Sequence, residues 1–506
     1  MQYRNPVISG FNPDPSICRV GDDFYLVTST FEFFPGVPVY HSKNLVNWEL
    51  ISYCLTTDEQ LPLWNCRPSG GIYAPTIRFH DGVFFMTTTN VTSGGNFIVH
   101  TKDIRGAWSA PAWVRQGGID PSLFWDEDGE CYFVSNGSDQ GEGGKIFLCR
   151  INPFTGEMLT PSRLISGGCG GKYPEAPHIY KRNGWYYLML AEGGTEYGHM
   201  ETMQRSRDIW GPYEPCPSGP ILTHARRSDD PLSTAIEATG HADIVEDQNG
   251  NWWLVCLAIR PLGPMLHNLG RETFLSPMTW NEEGWPVVGN QGRIRLEMDG
   301  PLPGPAPHPV CRDFIDDFTG ERLNPNWNFV RNPERNRYTL SRGRLVIDGG
   351  ETTLSTPCGH PALIAVRQGD FCVEAAACME AEIAPGQKSG LTAYYNDSAH
   401  YEIFVTRKED GYYVCLGKQA GDISVVSAAR KIDYKGSIAL KTVTDRQWYT
   451  FFYRLDDQWI ELGRGSTAFL CTEATWTMTF TGTFIGIFSE AGSAAFTSFS
   501  MKALEE

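Results

Sequence analysis

Asp14-Pro15-Ser16-Ile17-Cys18-Arg19-Val20-Gly21-Asp22-Asp23-Phe24-Tyr25-Leu26-Val27 is the stretch on which the reading of this chain turns. An apolar run follows a proline, breaks at a Gly-Asp-Asp turn and resumes as an aromatic-rich run, the pattern of a β-hairpin. The pattern returns four times. Ala74-Pro75-Thr76-Ile77 leads to Phe84-Phe85-Met86, and Asp120-Pro121-Ser122-Leu123 to Tyr132-Phe133-Val134. Ala176-Pro177-His178-Ile179 leads to Trp185-Tyr186-Tyr187-Leu188, and His241-Ala242-Asp243-Ile244 to Trp252-Trp253-Leu254-Val255. Spacings of roughly 45–65 residues hold about four strands each, the content of one propeller blade. Helical periodicity is nearly absent, so the repeats predict an all-β, five-bladed β-propeller over residues 1–300.

The innermost strand of a propeller blade faces the central axis, so equivalent positions of the copies converge on one spot. At or beside the proline those positions hold Asp14, Ala74, Asp120, Glu175 and His241, with Glu175 one place earlier than the strict register. Three carboxylates and a histidine therefore meet in one predicted pocket. Taken singly, Asp-Pro-Ser is a turn signal. Convergence of three repeat-equivalent acids favours chemistry instead. Cleavage of a glycosidic bond needs one protonated carboxyl for the leaving oxygen and one ionised carboxylate to activate water or attack. Gathered acids raise one another's pKa, which keeps one protonated near neutral pH. Prolines flank both Asp14 and Glu175 and stiffen the backbone that aims them.

Composition bounds the partners. The 506 residues carry a net charge of −17 and no basic run, which excludes a phosphate-backbone partner and suits a neutral oligosaccharide. No 18-residue apolar run is present, so no membrane span is expected. The fourteen cysteines fall mostly inside strand-like apolar runs, without CxxC or zinc spacing. Buried free thiols and an N-terminus without an apolar signal region give the expectation of a cytoplasmic protein. No cofactor is expected. Asp126-Glu127-Asp128-Gly129 resembles a fragment of a calcium loop but reads first as a solvated hairpin turn, so a structural calcium has no support. A homo-oligomer is left open.

Gly300-Pro301-Leu302-Pro303-Gly304-Pro305-Ala306-Pro307 marks a composition shift, and residues 301–312 read as a stiff Pro-rich linker. Beyond it, runs such as Gly390-Leu391-Thr392-Ala393-Tyr394-Tyr395 and Trp448-Tyr449-Thr450-Phe451-Phe452-Tyr453 alternate with Gly turns. Residues 313–506 are therefore expected to form a second all-β domain, a sandwich of concanavalin/laminin-G type. Within the first domain, His241 reads as a sugar hydrogen-bond partner or metal ligand, or as a satisfied core histidine. Arg271 reads as a ligand for sugar hydroxyls paired with a catalytic carboxylate, or as a surface ion pair. Phe31 and Tyr73 read as an apolar wall for a sugar ring, or as core.

Asn12-Pro13-Asp14-Pro15-Ser16, Thr30-Phe31-Glu32-Phe33-Phe34-Pro35-Gly36, Ser69-Gly70-Gly71-Ile72-Tyr73-Ala74-Pro75 and Ala191-Glu192-Gly193-Gly194-Thr195 resemble glycoside hydrolase family 43, the β-xylosidase and α-L-arabinofuranosidase group, and the likeness spans nearly the whole chain. The resemblance implies an inverting mechanism, with Asp14 as general base, Glu175 as general acid, and Asp120 orienting that acid and raising its pKa. It implies that Phe31, Tyr73, His241 and Arg271 line the terminal-sugar subsite, and that the second domain closes one end of the pocket. Phe484, in Gly482-Thr483-Phe484-Ile485-Gly486, is the residue expected to reach in from that domain. Many β-xylosidase relatives carry Trp where this chain has Tyr73, which opens the choice between xylose and arabinose. The implied activity is exo-acting release of non-reducing terminal α-L-arabinofuranosyl or β-D-xylosyl groups from hemicellulose-derived oligosaccharides. The rivals are an endo-acting arabinanase, which needs an open groove, and a non-catalytic carbohydrate-binding propeller, which has no use for three converging acids.

Overall fold

The computed structural model describes residues 1–225, 235–263, 266–475 and 479–505. Each sequence repeat opens an antiparallel meander of four strands hydrogen-bonded in chain order, to which the fourth copy adds a short fifth strand, Leu222–Thr223. The five first strands are Ser16–Val20, Thr76–His80, Ser122–Trp125, Glu175–Arg182 and Glu237–Glu246. Each touches the first strands of its two neighbours, and the fifth touches the first, so the sheets form a closed ring.

Alternation along the strands explains why these sequences stack face to face. Successive side chains of a strand point to opposite faces. Phe84 and Met86 accordingly pack on Val27 and Val39 of the first sheet, whereas Val83 and Phe85 pack on Leu123 and Phe133 of the third. Val134 and Leu148 meet Ile179 and Leu188 in the next gap, Met189 meets Leu254 and Phe274, and Val255 and Leu275 return to Ile17 and Leu26. Strands buried on both faces read as continuous apolar runs, which is why the hairpins show no polar face in the sequence.

The ring is fastened where its ends meet. Gln2–Arg4 pairs with Glu297–Asp299. The Asn5 side chain donates to the carbonyl of Leu275 at 2.9 Å and accepts its N–H at 2.9 Å. The turn at Asp126 is an ion-paired hairpin: Lys181 and Tyr186 both donate to its carboxylate, at 2.5 Å each.

After Glu297–Asp299 no strand forms until Phe314–Asp316. The Pro-rich stretch between them is pinned to the first sheet, where Asn44 donates to the Pro305 carbonyl and Leu302 is buried. Beyond it, an eight-stranded and a six-stranded antiparallel sheet enclose one core that includes Trp327, Leu391, Ile403, Leu440, Phe451 and Phe499. This second body grips the ring. Phe33–Phe34 pairs with Phe329–Val330. Phe484 stacks on Phe33 at 4.0 Å and meets Phe11 at 5.8 Å, with no solvent exposure. Among the described residues no helix is long and apolar enough to cross a membrane.

Phe484→Ala removes a fully buried ring from this junction and is expected to destabilise the protein by about 3–5 kcal/mol. Chemical or thermal unfolding followed by tryptophan fluorescence checks it; an unchanged midpoint would show that the junction does not limit stability.

Candidate active site

Four of the five repeat entrances share an unusual backbone. Asp14, Asp120, Ala176 and His241 have φ of 54°, 53°, 50° and 50°. Such left-handed conformations cost residues with a Cβ roughly 1–2 kcal/mol each and persist only where the surroundings enforce them. In the fourth copy the twist falls on Ala176, at the strict register, and the carboxylate sits on Glu175 immediately before it. The pairing with the next strand shifts register between Glu175 and His178, so this copy is bulged.

The converging groups meet as the repeat symmetry requires. Asp14 is buried and accepts from Ser29 Oγ at 2.5 Å and from Arg271 Nη1 at 2.9 Å. His241 Nδ1 stands 3.6 Å from the Asp14 carboxylate. Burial pushes the Asp14 carboxyl up, but the Arg271 guanidinium, His241 and the Ser29 hydroxyl together hold it below the usual carboxylate range. Burial raises the Glu175 carboxyl to about 7, and the Asp14 charge adds to the shift. Asp120 is raised well above the ordinary range by burial, then by Glu175 and Asp14. Glu175 and Asp120 titrate as a pair that retains a proton near neutral pH. Burial pushes the His241 imidazole below its usual range, against the pull of the Asp14 charge.

An aromatic wall completes the pocket. Phe31 lies 5.2 Å from Tyr73 and 5.6 Å from Phe480, and Tyr73 and Phe480 are 6.0 Å apart. The Arg271 guanidinium lies 5.5 Å from the Phe31 ring centre and 5.4 Å from that of Phe480. Its Nη1 also donates to Thr195 at 3.1 Å, and its buried Nε has no partner among the described residues, which leaves a donor for a ligand hydroxyl.

Phe484 corrects the sequence reading. It is not in the pocket: it begins the strand Phe484–Glu490, and the sheet buries it against Phe33. The residue of the second body that reaches the pocket is Phe480, in the segment before that strand. Its N–H donates to Ser69 Oγ at 2.8 Å and its carbonyl accepts from Arg271 at 3.4 Å. A phenylalanine inside a strand-like run is core by default, and nothing local in the sequence marked Phe480 as the exception.

A second set of residues escaped the sequence reading although its signal was there. The polar position of each repeat, two residues past the entrance, holds Ser16, Thr76, Ser122, His178 and Asp243. Four of these join Arg78 in a hydrogen-bonded cluster beneath the carboxylates. Arg78 Nη1 donates to Asp243 at 2.7 Å and to Ser16 at 3.2 Å, and Nη2 donates to His178 Nδ1 at 2.9 Å. Ser16 donates to Asp243 at 2.6 Å, His178 Nδ1 lies 3.0 Å from Ser122 Oγ, and Tyr180 donates to Asp243 at 2.5 Å. Burial works against the Asp243 charge, but Arg78 overrides it and keeps the carboxyl ionised. Burial pushes His178 down to about 3, so it stays neutral.

One carboxylate held ionised beside two that share a proton is what cleavage of a glycosidic bond requires, and it places the chain among the glycoside hydrolases. Known proteins narrow the class. Residues 3–286 match the model of glycosyl hydrolases family 43, and residues 315–502 match the beta xylosidase C-terminal concanavalin A-like domain. The chain belongs to glycoside hydrolase family 43. It is 40% identical over 504 residues to a non-reducing end alpha-L-arabinofuranosidase of Bacteroides ovatus, covering 97% of this chain and 92% of that one. A beta-xylosidase of Bacillus subtilis is 35% identical, with 81% and 80% covered. The solved structure of Bacteroides ovatus Xyloglucan PUL GH43B superposes with a TM-score of 0.93 at 38% identity over 100% of both chains. Xylan beta-1,4-xylosidase from Bacillus halodurans superposes with a TM-score of 0.92 at 32% identity over 99% of each.

The raised Glu175 carboxyl has a consequence for stability. Its folded pKa of about 7 exceeds its ordinary 4.5, so its contribution is fully present below 4.5 and is lost as pH rises through 7. Glu175→Gln removes that loss. The variant's gain in melting temperature over the native chain is expected to be larger at pH 8 than at pH 5; equal differences at the two pH values would contradict the raised pKa.

Proposed function

We propose that the chain is an inverting exo-glycoside hydrolase that releases non-reducing terminal α-L-arabinofuranosyl and β-D-xylosyl residues from short hemicellulose-derived oligosaccharides. The observation that carries this reading is the meeting of Asp14, paired with Arg271 at 2.9 Å, and Glu175, whose carboxyl burial and the Asp14 charge raise. Asp14, ionised beside Arg271, acts as general base on a water molecule. Glu175, its carboxyl raised by burial and by the Asp14 charge, donates its proton to the departing oxygen, and Asp120 orients it. Phe31, Tyr73 and Phe480 receive the sugar's apolar face, and Arg271 and His241 its hydroxyls. The chemistry uses side chains alone, with no cofactor or metal.

The architecture behind this reading is a five-bladed propeller over residues 1–300, a linker over 301–312 and a concanavalin-like sandwich over 313–506. Phe480 supports exo action, because the segment that carries it stands against Ser69 and Arg271 where an endo-acting arabinanase needs an open groove. The Bacteroides ovatus relative is named for action at a non-reducing end, which supports the same direction. Cys18, Cys131, Cys149, Cys256 and Cys415 are buried free thiols, which supports a reducing, cytoplasmic setting.

Release rates from p-nitrophenyl α-L-arabinofuranoside and p-nitrophenyl β-D-xylopyranoside, measured side by side, test the sugar. Activity on at least one is expected, and none on either overturns the reading. Proton NMR of the newly released sugar is expected to show the inverted anomer first. Asp14→Ala and Glu175→Ala are each expected to abolish turnover of xylobiose or arabinobiose while remaining folded. On the nitrophenyl substrates Glu175→Ala is expected to retain more activity, because that leaving group barely needs protonation. Equal loss in both variants would count against the assigned roles.

A further inference from the structure

We propose that Tyr173 is an aromatic platform for the sugar ring on the leaving-group side of the bond, a second subsite beside the terminal-sugar pocket. This rests on the role given to Glu175. A general acid must stand within hydrogen-bond reach of the glycosidic oxygen. The departing sugar therefore lies on the side of the pocket that Glu175 occupies, and the residues around Glu175 are the first it meets.

Tyr173 precedes Glu175 by two residues and is 68% exposed, the most exposed large aromatic among the described residues. Its φ is 54°, a left-handed conformation that disfavours a bulky side chain. Something must hold it there. The carboxylate of Glu192, itself fully buried, accepts the N–H of Cys169 at 2.6 Å and that of Gly171 at 2.5 Å, and is braced by Thr202 Oγ at 2.9 Å. The Gly193 N–H donates to the Lys172 carbonyl at 2.6 Å. The backbone immediately before Tyr173 is thus tied to Glu192 and Gly193, and the ring faces water.

That place adjoins the pocket. A methyl group built on Gly194 would lie 3.4 Å from the Tyr173 ring, so the ring rests on the Gly193-Gly194 turn. Thr195, next along, accepts from Arg271, which in turn holds Asp14. The Tyr173 ring therefore stands one residue outside the wall of the catalytic pocket. A rigid, solvent-facing ring costs little side-chain entropy on binding and offers a flat apolar face to the C–H face of a sugar. The ligand class is the second, neutral sugar unit of an oligosaccharide.

The test compares two leaving groups on the native protein, Tyr173→Ala and Tyr173→Trp. Xylobiose is paired with β-D-xylopyranosyl fluoride, or arabinobiose with α-L-arabinofuranosyl fluoride, according to the terminal sugar preferred. Fluoride has no ring to stack. Tyr173→Ala is expected to raise KM for the disaccharide about tenfold, the size of one lost ring-stacking contact, and to change the fluoride by less than about twofold. Tyr173→Trp is expected to keep the disaccharide near its native KM. A Tyr173→Ala variant with native disaccharide kinetics overturns the platform. So does a loss on the disaccharide that falls in kcat with KM unchanged, which would mean that Tyr173 acts by placing Glu175. A native protein inactive on all four substrates overturns the hydrolase reading itself.

Discussion

The ion pair of Arg78 and Asp243 sits where all five inner strands meet, and the active site is built on top of it. Ser16 and His178 hydrogen-bond to the pair from two other strands, and Ser122 joins through His178 from a third. Each lies two residues beyond the entrance of its own repeat, and the entrances carry the reacting groups. The axis of a ring of sheets is the one place that β-hydrogen bonding cannot fill, because every inner strand has a neighbour on one side only. A buried polar cluster stays stable there only if its charges are paired and its donors satisfied. Arg78 meets that condition with one rigid fork of donors that reaches three strands besides its own and, through His178, a fourth.

Above that floor, position alone sets the electrostatics. The three acids share nearly the same burial, yet Asp14 faces Arg271, His241 and Ser29, whereas Glu175 and Asp120 face other carboxyls. The same loss of water therefore leaves one acid charged and keeps a proton on the others. Arg271 matters most here, since its Nη1 joins Asp14 to Thr195 while Nη2 reaches the backbone of Phe480 in the second body. The state of Asp14 is thereby tied to the docking of the second body.

The second body closes the site through two phenylalanines with different duties. Phe484 anchors, stacked on Phe33 and sealed from water; Phe480, four residues earlier, reaches the pocket. The anchor fixes the strand, and the strand fixes where the preceding segment can lie.

The repeat was legible because a closed ring imposes the same demands five times. Hairpin, turn and apolar run recur, and with them the convergence of Asp14, Asp120, Glu175 and His241. The polar position of the repeat also announced Ser16, Ser122, His178 and Asp243, since a buried axis calls for groups that can pair. Other features were not local. Phe480 and Phe484 are the same residue type in similar surroundings, and only the strand boundary decides which is sealed and which reaches the sugar. The exposure of Tyr173 depends on Glu192, which is distant in sequence from the loop it clamps. Local pattern and repeat symmetry were enough to determine the sheets and the meeting of the acids. Packing between two separately encoded bodies decided the pocket wall, and no single stretch of chain contains that information.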